Sequence, residues 1–321
     1  MRVRVYHGKA LATYGFGHGH PFGPDRLGAF WQEMTRRGLD WQCDIGVPVA
    51  CTEEDLALFH TADYIARVKH QARTGEGYLD YGDTPAFPGV FEAASVVVGS
   101  VLDGLKHVLA GDCRRVFVPI AGLHHARREG AAGFCVFNDI GVLIEALRRR
   151  HGIRRVAYVD IDAHHGDGVF YGFEDDTDLI FADIHEDGRY LYPGTGAAGE
   201  TGTGKAQGTK LNIPMEPGAD DAAFHRVWPR VEEFVRAGKP EFIILQAGAD
   251  SLAGDPITHL RYTAAAHAHA ATRLCALADE FCQGRLIATG GGGYDRPNLA
   301  RAWCAVVDAM LHAGAKTPGP G

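Results

Sequence analysis

The segment YVDIDAHHGDGV (158–169) contains three aspartates and two histidines directly after an apolar run. Carboxylates that are buried together are costly unless a cation or a proton compensates their charge. Asp160, Asp162 and His164 are two residues apart, so their side chains point to one side while the chain is extended. The segment therefore predicts a metal site at the end of a strand.

A second apolar run, EFIILQAG (241–248), is followed by Asp250. With Asp162 and His164 it would give a metal one imidazole and two carboxylates, and leave positions for water and substrate, as in a catalytic zinc site. Ferrous iron suits the same donors. Taken alone, Asp250 is more simply a helix cap, and His164 a hydrogen-bonded loop residue. The density of acceptors in DIDAHHGD (160–167) favours the metal.

The strand candidate RRVFVPI (114–120) is followed by two adjacent histidines, His124 and His125. A positioned histidine is the commonest general acid or base near neutral pH. It needs a partner that fixes its tautomer, and Asp160 and Asp167 are carboxylates without another assigned role. The pair therefore predicts acid–base chemistry near the metal.

Tyr294 follows a run of four glycines (290–293) after the strand candidate RLIAT (285–289). Glycines let the backbone turn tightly and approach a ligand. The run lacks the Lys-Ser/Thr of a phosphate loop, so a tyrosine hydroxyl that stabilises an oxyanion fits better. His267 and His269, in contrast, are expected on the solvated face of a helix.

Apolar, β-branched runs alternate with helical patterns along the chain. The N-terminus alternates like a strand, and buried strands are predicted at 114–120, 154–161, 178–184, 209–215, 241–248 and 285–289. Helices are predicted at 138–152, 219–238 (which contains Pro229) and 263–284. The fold class is therefore α/β, with a mostly parallel sheet, helices on both faces and a ligand site at the carboxyl ends of the strands.

No long linker divides the chain, so we expect one domain over residues 1–313 and a disordered tail at 314–321. Two loops, 14–23 and 74–89, are too long and glycine-rich to be simple connections. They are candidate rims of the site.

The composition excludes several classes of protein. A chain of 321 residues, 46% hydrophobic and 22% charged, can bury a large core without disulfides or a structural metal. Its seven cysteines form no CxxC pair, which favours a reducing cytoplasm. No run approaches the roughly 18 apolar residues of a membrane span, and no signal peptide is present. The net charge of −8 gives no support for nucleic-acid binding. We therefore expect a cytoplasmic protein with neither nucleic-acid nor membrane partners.

Seven segments in this order resemble those of the zinc-dependent histone deacetylase family, which includes acetoin-utilisation proteins and acetylpolyamine amidohydrolases. They are HPFGPDR (20–26), AGLHHA (121–126), GFCVFND (133–139), DIDAHHGDGV (160–169), YPGTG (192–196), GADSLAGDP (248–256) and GGGGY (290–294). The resemblance extends along most of the chain. It implies a single-domain arginase/deacetylase-like fold that hydrolyses an N-acyl amide.

The resemblance also assigns roles to individual residues. For catalysis it implies the zinc ligands Asp162, His164 and Asp250, His125 oriented by Asp167 as general base and then acid, His124 paired with Asp160 as electrostatic neighbour, and Tyr294 as the group that polarises the carbonyl. For the substrate it implies Phe134 and Tyr192 in the walls of an acyl-lysine tunnel, Gly133 and Gly292 where the backbone comes close, Asp83 as a rim carboxylate, and Arg26 near a pocket for released acetate.

The family also binds a monovalent cation, usually potassium, near the zinc loop. The matching residues here are Asp160, Asp162, His164, Asp183 and Ile184. Asp183 stands where the family usually has serine, so its carboxylate would either tighten the cation site or change its charge balance. Arginase-like ureohydrolases share the fold but use two manganese ions. Gly166 and Gly248 replace two of their bridging ligands, which favours one metal here.

Three kinds of substrate stay open: an acetyl-lysine peptide or protein, an acetylated polyamine, and another small N-acyl amine. Polyamine-selective relatives carry an acidic residue near the GDP motif, where this chain has Ile257, and this favours acyl-lysine. The rival from another class is a catalytically silent acyl-lysine binder, which the complete set of matched residues disfavours. A homo-oligomer is also left open, because the loop around His18 and His20 fits either a site rim or a dimer contact.

Overall fold

A computed structural model describes residues 3–17 and 19–313, so the expected tail at 314–321 and His18 lie outside the described residues. One eight-stranded sheet forms the centre of the protein. Its strands are β1 Val3–Tyr6, β2 Asp44–Gly46, β3 Arg115–Val118, β4 Val156–Asp160, β5 Leu179–Glu186, β6 Lys210–Met215, β7 Phe242–Gln246 and β8 Leu286–Thr289. Their order is β2-β1-β3-β8-β7-β4-β5-β6, and each neighbouring pair is parallel. The predicted α/β fold with a parallel sheet is confirmed.

Each strand predicted from an apolar run is present, with small shifts at its ends. The strand predicted at 178–184 continues to Glu186 as β5. Strands β4 and β7 are buried along their whole length, as expected where helices cover both faces of a parallel sheet. The edge strand β2 was not predicted, because it has only three residues and Ile45 at its centre is 37% exposed.

The described residues also form ten α-helices. These are α1 Lys9–Ala12, α2 Arg26–Arg36, α3 Glu53–Leu56, α4 Ala62–Thr74, α5 Val90–Ala110, α6 Asp139–His151, α7 Asp167–Gly172, α8 Asp221–Gly238, α9 Ala264–Phe281 and α10 Arg296–His312. Short 3-10 helices occur at Asp40–Gln42, Gly204–Ala206 and Ala249–Ser251. The three predicted helices are α6, α8 and α9, whereas the longer helices α2, α4, α5 and α10 were not predicted.

The predicted helix boundaries follow local capping chemistry. Asn138 caps α6 by accepting a hydrogen bond from the backbone N–H of Gly141 at 2.8 Å, and α6 ends at Gly152 with φ of 68°. Helix α8 continues through Pro229, although proline removes one helical hydrogen bond. Buried side chains on both sides of the proline, Phe224 and Val231, hold this helix against the core.

Helix α5 is long and apolar enough to cross a membrane, with a mean hydropathy of 1.4 over its most apolar window. The helix has this character by length and mean hydropathy only, because Glu92, Asp103 and Lys106 interrupt its apolar run. The protein buries 61% of that window. A Cβ atom on Gly99 would lie 2.2 Å from the carbonyl oxygen of Val49, so another segment of the chain packs directly on the helix. Packing in the core accounts for the apolar composition of α5.

Four adjacent strands, β3, β8, β7 and β4, end at the same edge of the sheet. The segments that follow them carry the histidine pair, the glycine run with Tyr294, Asp250, and the acidic segment that begins at Asp160. Residues far apart in the sequence therefore meet at one place, at the carboxyl ends of the strands, where parallel sheets bind ligands.

Candidate active site

The three predicted metal ligands converge beyond the ends of β4 and β7. Asp162 and His164 lie in the loop after β4, and Asp250 lies in the 3-10 helix after β7. Their ligand atoms all lie within 4.8 Å of one another. His164 Nδ1 is 3.1 Å from Asp162 Oδ1 and 3.0 Å from Asp250 Oδ2. Because all three residues are buried, they form one enclosed cluster of donors.

The surrounding backbone holds the carboxylates so that they face His164. Asp162 Oδ2 accepts hydrogen bonds from the backbone N–H of Gly292 and from Gln246 Nε2, both at 2.8 Å. Asp250 Oδ1 accepts one from the backbone N–H of Ala163 at 2.9 Å. A Cβ atom on Gly292 would lie 2.1 Å from Asp250 Oδ2, so a larger residue has no room there. Gly292, which was predicted to contact the substrate, lies against the metal ligands.

The electrostatics of the cluster favour a cation among these three side chains. Burial lowers the pKa of His164, but hydrogen bonds to Asp162 and Asp250 outweigh it and raise that pKa to about 10. Burial, followed by the charge of Asp162, raises the pKa of Asp250 to about 7. The protons held here are those that a metal displaces when it binds. One imidazole and two carboxylates in a buried site fit zinc or ferrous iron.

Two histidine–aspartate pairs lie beside this cluster. His124 Nδ1 and Asp160 Oδ2 are 2.7 Å apart, and so are His125 Nδ1 and Asp167 Oδ1. The two histidine Nε2 atoms are 3.1 Å from each other, so both rings point to the same spot. The pairings implied by the resemblance are therefore present as contacts.

The two pairs differ in electrostatics. Burial, followed by the charge of His124, lowers the pKa of His125 to about 4, so this imidazole is neutral near pH 7. Burial opposes ionisation of Asp167, but its hydrogen bond with His125 and the charges of His125, His165 and Arg127 together outweigh burial and lower the pKa of the carboxyl. Burial, followed by the charges of Asp183 and Asp162, raises the pKa of Asp160 well above its ordinary value.

Aromatic side chains surround the approach to His125. The Tyr192 ring lies 5.2 Å from the His125 ring, and the Phe134 ring lies 5.9 Å from the Tyr294 ring. A Cβ atom on Gly133 would lie 2.5 Å from His125 Cδ2, so only glycine fits there. Phe134 has a left-handed φ of 66°, a strained conformation of the kind that concentrates at functional sites. The predicted tunnel residues therefore lie together at the entrance.

The inner cavity is small. It has a volume of about 10 Å³, roughly the room that one water molecule requires. Its walls are Phe22, Gly122, Leu123, His124, His125, Gly133, Cys135, Asp162, His164, Gly291, Gly292 and Tyr294. The histidine pair, two predicted metal ligands and the predicted tyrosine thus share one space.

The glycine run presents Tyr294 to this cavity. The backbone N–H of Tyr294 donates to Asp255 Oδ2 at 2.8 Å, and buried Arg26 donates to the carbonyl oxygens of Gly291 at 2.6 Å and Gly293 at 2.9 Å. Burial, followed by the charges of nearby aspartates, raises the pKa of Tyr294 well above its ordinary value. The hydroxyl therefore stays protonated and is available as a hydrogen-bond donor.

Asp83 lies outside the inner cavity, on a groove of about 590 Å³ that Tyr192 and Arg127 also line. Burial, followed by a hydrogen bond with Asp80, raises the pKa of Asp83 to about 7. Ile257 is half-buried, and its backbone N–H donates to Asp255 Oδ1 at 3.0 Å. Ile257 is not one of the described residues that line the inner cavity or the groove.

The predicted cation residues lie on β4, the loop after it, and β5. Asp183 pairs in register with Asp160 on the neighbouring strand. Its Oδ2 accepts from the backbone N–H of Gly166 at 2.9 Å, and its Oδ1 is 2.8 Å from His185 Nδ1. Ile184 follows it in the same buried strand. Asp183 is therefore an interior carboxylate beside the metal loop.

Several supporting residues were not predicted from the sequence. Gln246 holds Asp162, and Asp139 accepts hydrogen bonds from the backbone of Gly122 at 2.9 Å and Leu123 at 2.8 Å, just before the histidine pair. The expected solvated position of His267 is wrong. This residue is buried, and its Nε2 is 2.8 Å from the carbonyl oxygen of Gly248, two residues before Asp250. Helix α9 is rich in alanine, so its sequence alone did not show which of its faces is buried.

The geometry defines a class of α/β protein in which a buried cluster of candidate metal ligands and a neutral histidine face one small cavity. The chain belongs to the histone deacetylase family, because the histone deacetylase domain matches residues 20–310. The family is typically metal-dependent, in keeping with the buried Asp-His-Asp cluster. This protein is a hydrolase that acts on acetylated amides.

Individual relatives span nearly the whole chain. The acetoin utilization protein AcuC of Bacillus subtilis is 39% identical over 316 residues, which cover 95% of this chain and 81% of the relative. The histone deacetylase RPD3 of Saccharomyces cerevisiae is 31% identical, and the match covers 94% of this chain and 70% of that relative. The crystal structure of the HDA15 HD domain is similar with a TM-score of 0.90 and 27% identity, and the match covers 99% of this chain and 90% of that one. These likenesses confirm the single-domain arginase/deacetylase-like fold.

Proposed function

We propose that this protein is a zinc-dependent amidohydrolase that removes acetyl groups from N-ε-acetyl-lysine-type substrates, with residues 1–313 as its catalytic domain. The observation that carries the proposal is the convergence of His164 Nδ1 with the carboxylates of Asp162 and Asp250, beside the paired Nε2 atoms of two histidines. Ferrous iron is the alternative metal, because it suits the same donors.

Different residues bind the metal and transfer the proton. Asp162, His164 and Asp250 would hold the metal, which when bound lowers the pKa of a water and polarises the acyl carbonyl. Neutral His125 takes a proton from the attacking water at Nε2, while Asp167 holds its Nδ1–H. His125 then delivers this proton to the leaving amine.

Two further groups stabilise the charge that develops. Tyr294 donates a hydrogen bond to the carbonyl oxygen as that oxygen becomes negative. His124, held by Asp160, places its Nε2 next to the same proton path.

Arg26 has an Nη1 without a hydrogen-bond partner among the described residues, although it is fully buried. This donor suits the acetate that leaves after cleavage.

The dimensions of the entrance favour a large amine. The groove of about 590 Å³ at the entrance, with Asp83 on its wall, has room for a peptide backbone beyond the acetylated side chain. A small acetylated amine is the alternative, and Asp83 and Glu129 in this groove would then attract its distant ammonium.

A monovalent cation, most simply potassium, is proposed at Asp160, Asp162, His164, Asp183 and Ile184. The support is the register pairing of Asp160 and Asp183, which puts two buried carboxylates on adjacent strands. A cation offsets the cost of burying them together. Cytoplasmic location and a homo-oligomeric state stay predictions.

The test combines metal analysis of the purified protein with turnover of a fluorogenic acetyl-lysine peptide and of N-acetylputrescine. His125→Ala is measured in parallel. One metal per chain, with peptide turnover that the substitution abolishes, is the expected result. Turnover of N-acetylputrescine alone would establish the small-amine alternative. One metal per chain with neither substrate cleaved would remove the acetyl-lysine proposal.

A further inference from the structure

Arg127 connects the groove at the entrance to the buried His125–Asp167 pair. Its Nη2 donates to Asp167 Oδ2 at 3.3 Å, while His125 Nδ1 lies 2.7 Å from the other oxygen, Oδ1. Asp167 is fully buried, whereas the Arg127 side chain is 55% exposed and lines the groove. We propose that Arg127 is a positioning residue that orients Asp167 and, through it, the base His125. This inference rests on the proposed function of His125.

The backbone fixes both ends of the contact. Asn138 Nδ2 donates to the carbonyl oxygen of Ala126 at 2.8 Å, and the backbone N–H of Arg127 donates to the carbonyl oxygen of Gly130 at 2.8 Å. A Cβ atom on Gly168 would lie 2.5 Å from the carbonyl oxygen of Ala126, so this segment lies directly on the start of α7. The guanidinium therefore reaches Asp167 from an anchored position, unlike an ordinary surface arginine.

In the other histidine–aspartate pair, the aspartate accepts hydrogen bonds from different kinds of donor. Asp160 accepts hydrogen bonds from the hydroxyl of Tyr158 and from the backbone N–H of Asp162, which are neutral donors in the interior. The second oxygen of Asp167 meets a charged donor instead. A guanidinium adds Coulomb attraction for an ionised carboxylate, which a neutral donor does not supply. Asp167 is thus held as an ionised acceptor while His125 gains and loses its proton.

A second arginine of the same groove supplies a matched control. Arg67 donates to the carbonyl oxygen of Leu79 at 3.2 Å and lies 5.1 Å from the centre of the Tyr64 ring. Among the described residues, Arg67 forms neither a hydrogen bond nor an ion pair with Asp167. Substituting Arg67 therefore removes a positive charge from the groove and leaves the hold on Asp167 in place.

The experiment compares Arg127→Gln, Arg127→Lys and Arg67→Gln in the full-length, metal-loaded protein. The first readout is kcat on the acetyl-lysine peptide. The second is the low-field proton NMR signal of the His125 Nδ1–H, assigned by its loss in His125→Ala. We expect Arg127→Gln to lower kcat about tenfold, as is typical when an outer partner of a catalytic group is lost, and to shift or broaden the signal. Arg127→Lys should recover most of both, and Arg67→Gln should leave the signal in place.

The outcomes separate the positioning role from the proposed function. An unchanged signal and kcat in Arg127→Gln would overturn the inference, and so would an equal change of the signal in Arg67→Gln. A wild-type protein that cleaves no acyl amide would remove the proposed function. If Arg127→Gln still moved the His125 signal in that protein, the positioning role would stand without the deacetylase chemistry.

Discussion

The Nε2 atoms of His124 and His125 lie 3.1 Å apart, yet their Nδ1 atoms contact carboxylates on two different elements. Asp160 ends a buried strand, and Asp167 begins a helix. Two adjacent histidines therefore have different electrostatic surroundings, because the pKa of Asp160 is raised whereas that of Asp167 is lowered. Substitution of the two aspartates tests this asymmetry.

Asp167→Asn should reduce kcat more than Asp160→Asn. The first substitution removes the ionised partner of the proposed base, and general acid–base catalysis contributes about 10² to 10⁴ in rate. We expect a loss of about 100-fold for Asp167→Asn and a smaller one for Asp160→Asn. Steady-state kinetics on the acetyl-lysine peptide, with metal content measured for each variant, checks the order. The reverse order would make His124 the base.

Tyr294→Phe should lower kcat about 100- to 1,000-fold, because it removes one donor to the developing oxyanion. The contacts around the metal ligands do not use the hydroxyl, so one metal per chain should remain. Kinetics and elemental analysis of the same preparation measure both quantities. If kcat is unchanged, Tyr294 has no part in the mechanism.

Metal affinity should fall as the pH falls, because protons compete for the ligand atoms. The pKa of His164 is about 10 and that of Asp250 about 7 before the metal binds. Binding of zinc should therefore release about two protons per metal at pH 6 and about one at pH 8.5. Calorimetry in buffers of different ionisation enthalpy counts these protons. A release that is the same at both pH values would contradict the raised pKa of Asp250.

Gly292→Ala should reduce metal content and lower kcat, because the new Cβ atom would lie 2.1 Å from Asp250 Oδ2 and 3.0 Å from Asp162 Oδ2. Overpacking of this kind costs about 1–3 kcal/mol of stability. Gly28→Ala is the matched control, since nothing lies within 4 Å of its Cβ position in α2. Alanine there should stabilise the helix by roughly 0.5–1 kcal/mol. Metal analysis and thermal unfolding of both variants make the comparison, and a fully metallated Gly292→Ala would be the contrary result.

Asp183→Ser should weaken the proposed potassium site. Removing a carboxylate close to a bound cation costs at least about 1 kcal/mol even with water-like screening, so the potassium concentration for half-maximal effect should rise about fivefold or more. Activity measured against potassium, with ionic strength held constant by choline chloride, gives this concentration. A dependence identical to that of the wild type would exclude Asp183 from the cation site.

The sequence by itself was enough for the α/β class and for the candidate residues of the site. The candidate metal ligands and the histidine pair follow apolar runs at short, regular spacings, so their chemistry is visible in single segments such as 158–169. The strand ends that carry them were also expected to lie close together, because parallel strands direct their carboxyl ends to the same edge of the sheet. These local signals predicted Asp162, His164, Asp250 and Tyr294 as parts of one site.

Only the tertiary structure decided which groups support that site. Gln246 and Gly292 donate hydrogen bonds to Asp162, and His267 contacts the carbonyl oxygen of Gly248, across segments that are distant in the sequence. The contact between Arg127 and Asp167 likewise depends on how the segment after β3 packs on α7. Such contacts follow from the strand order β3-β8-β7-β4, and no local spacing encodes that order. Burial also determined the pKa of His125, because the removal of water from the imidazole is a property of the whole fold.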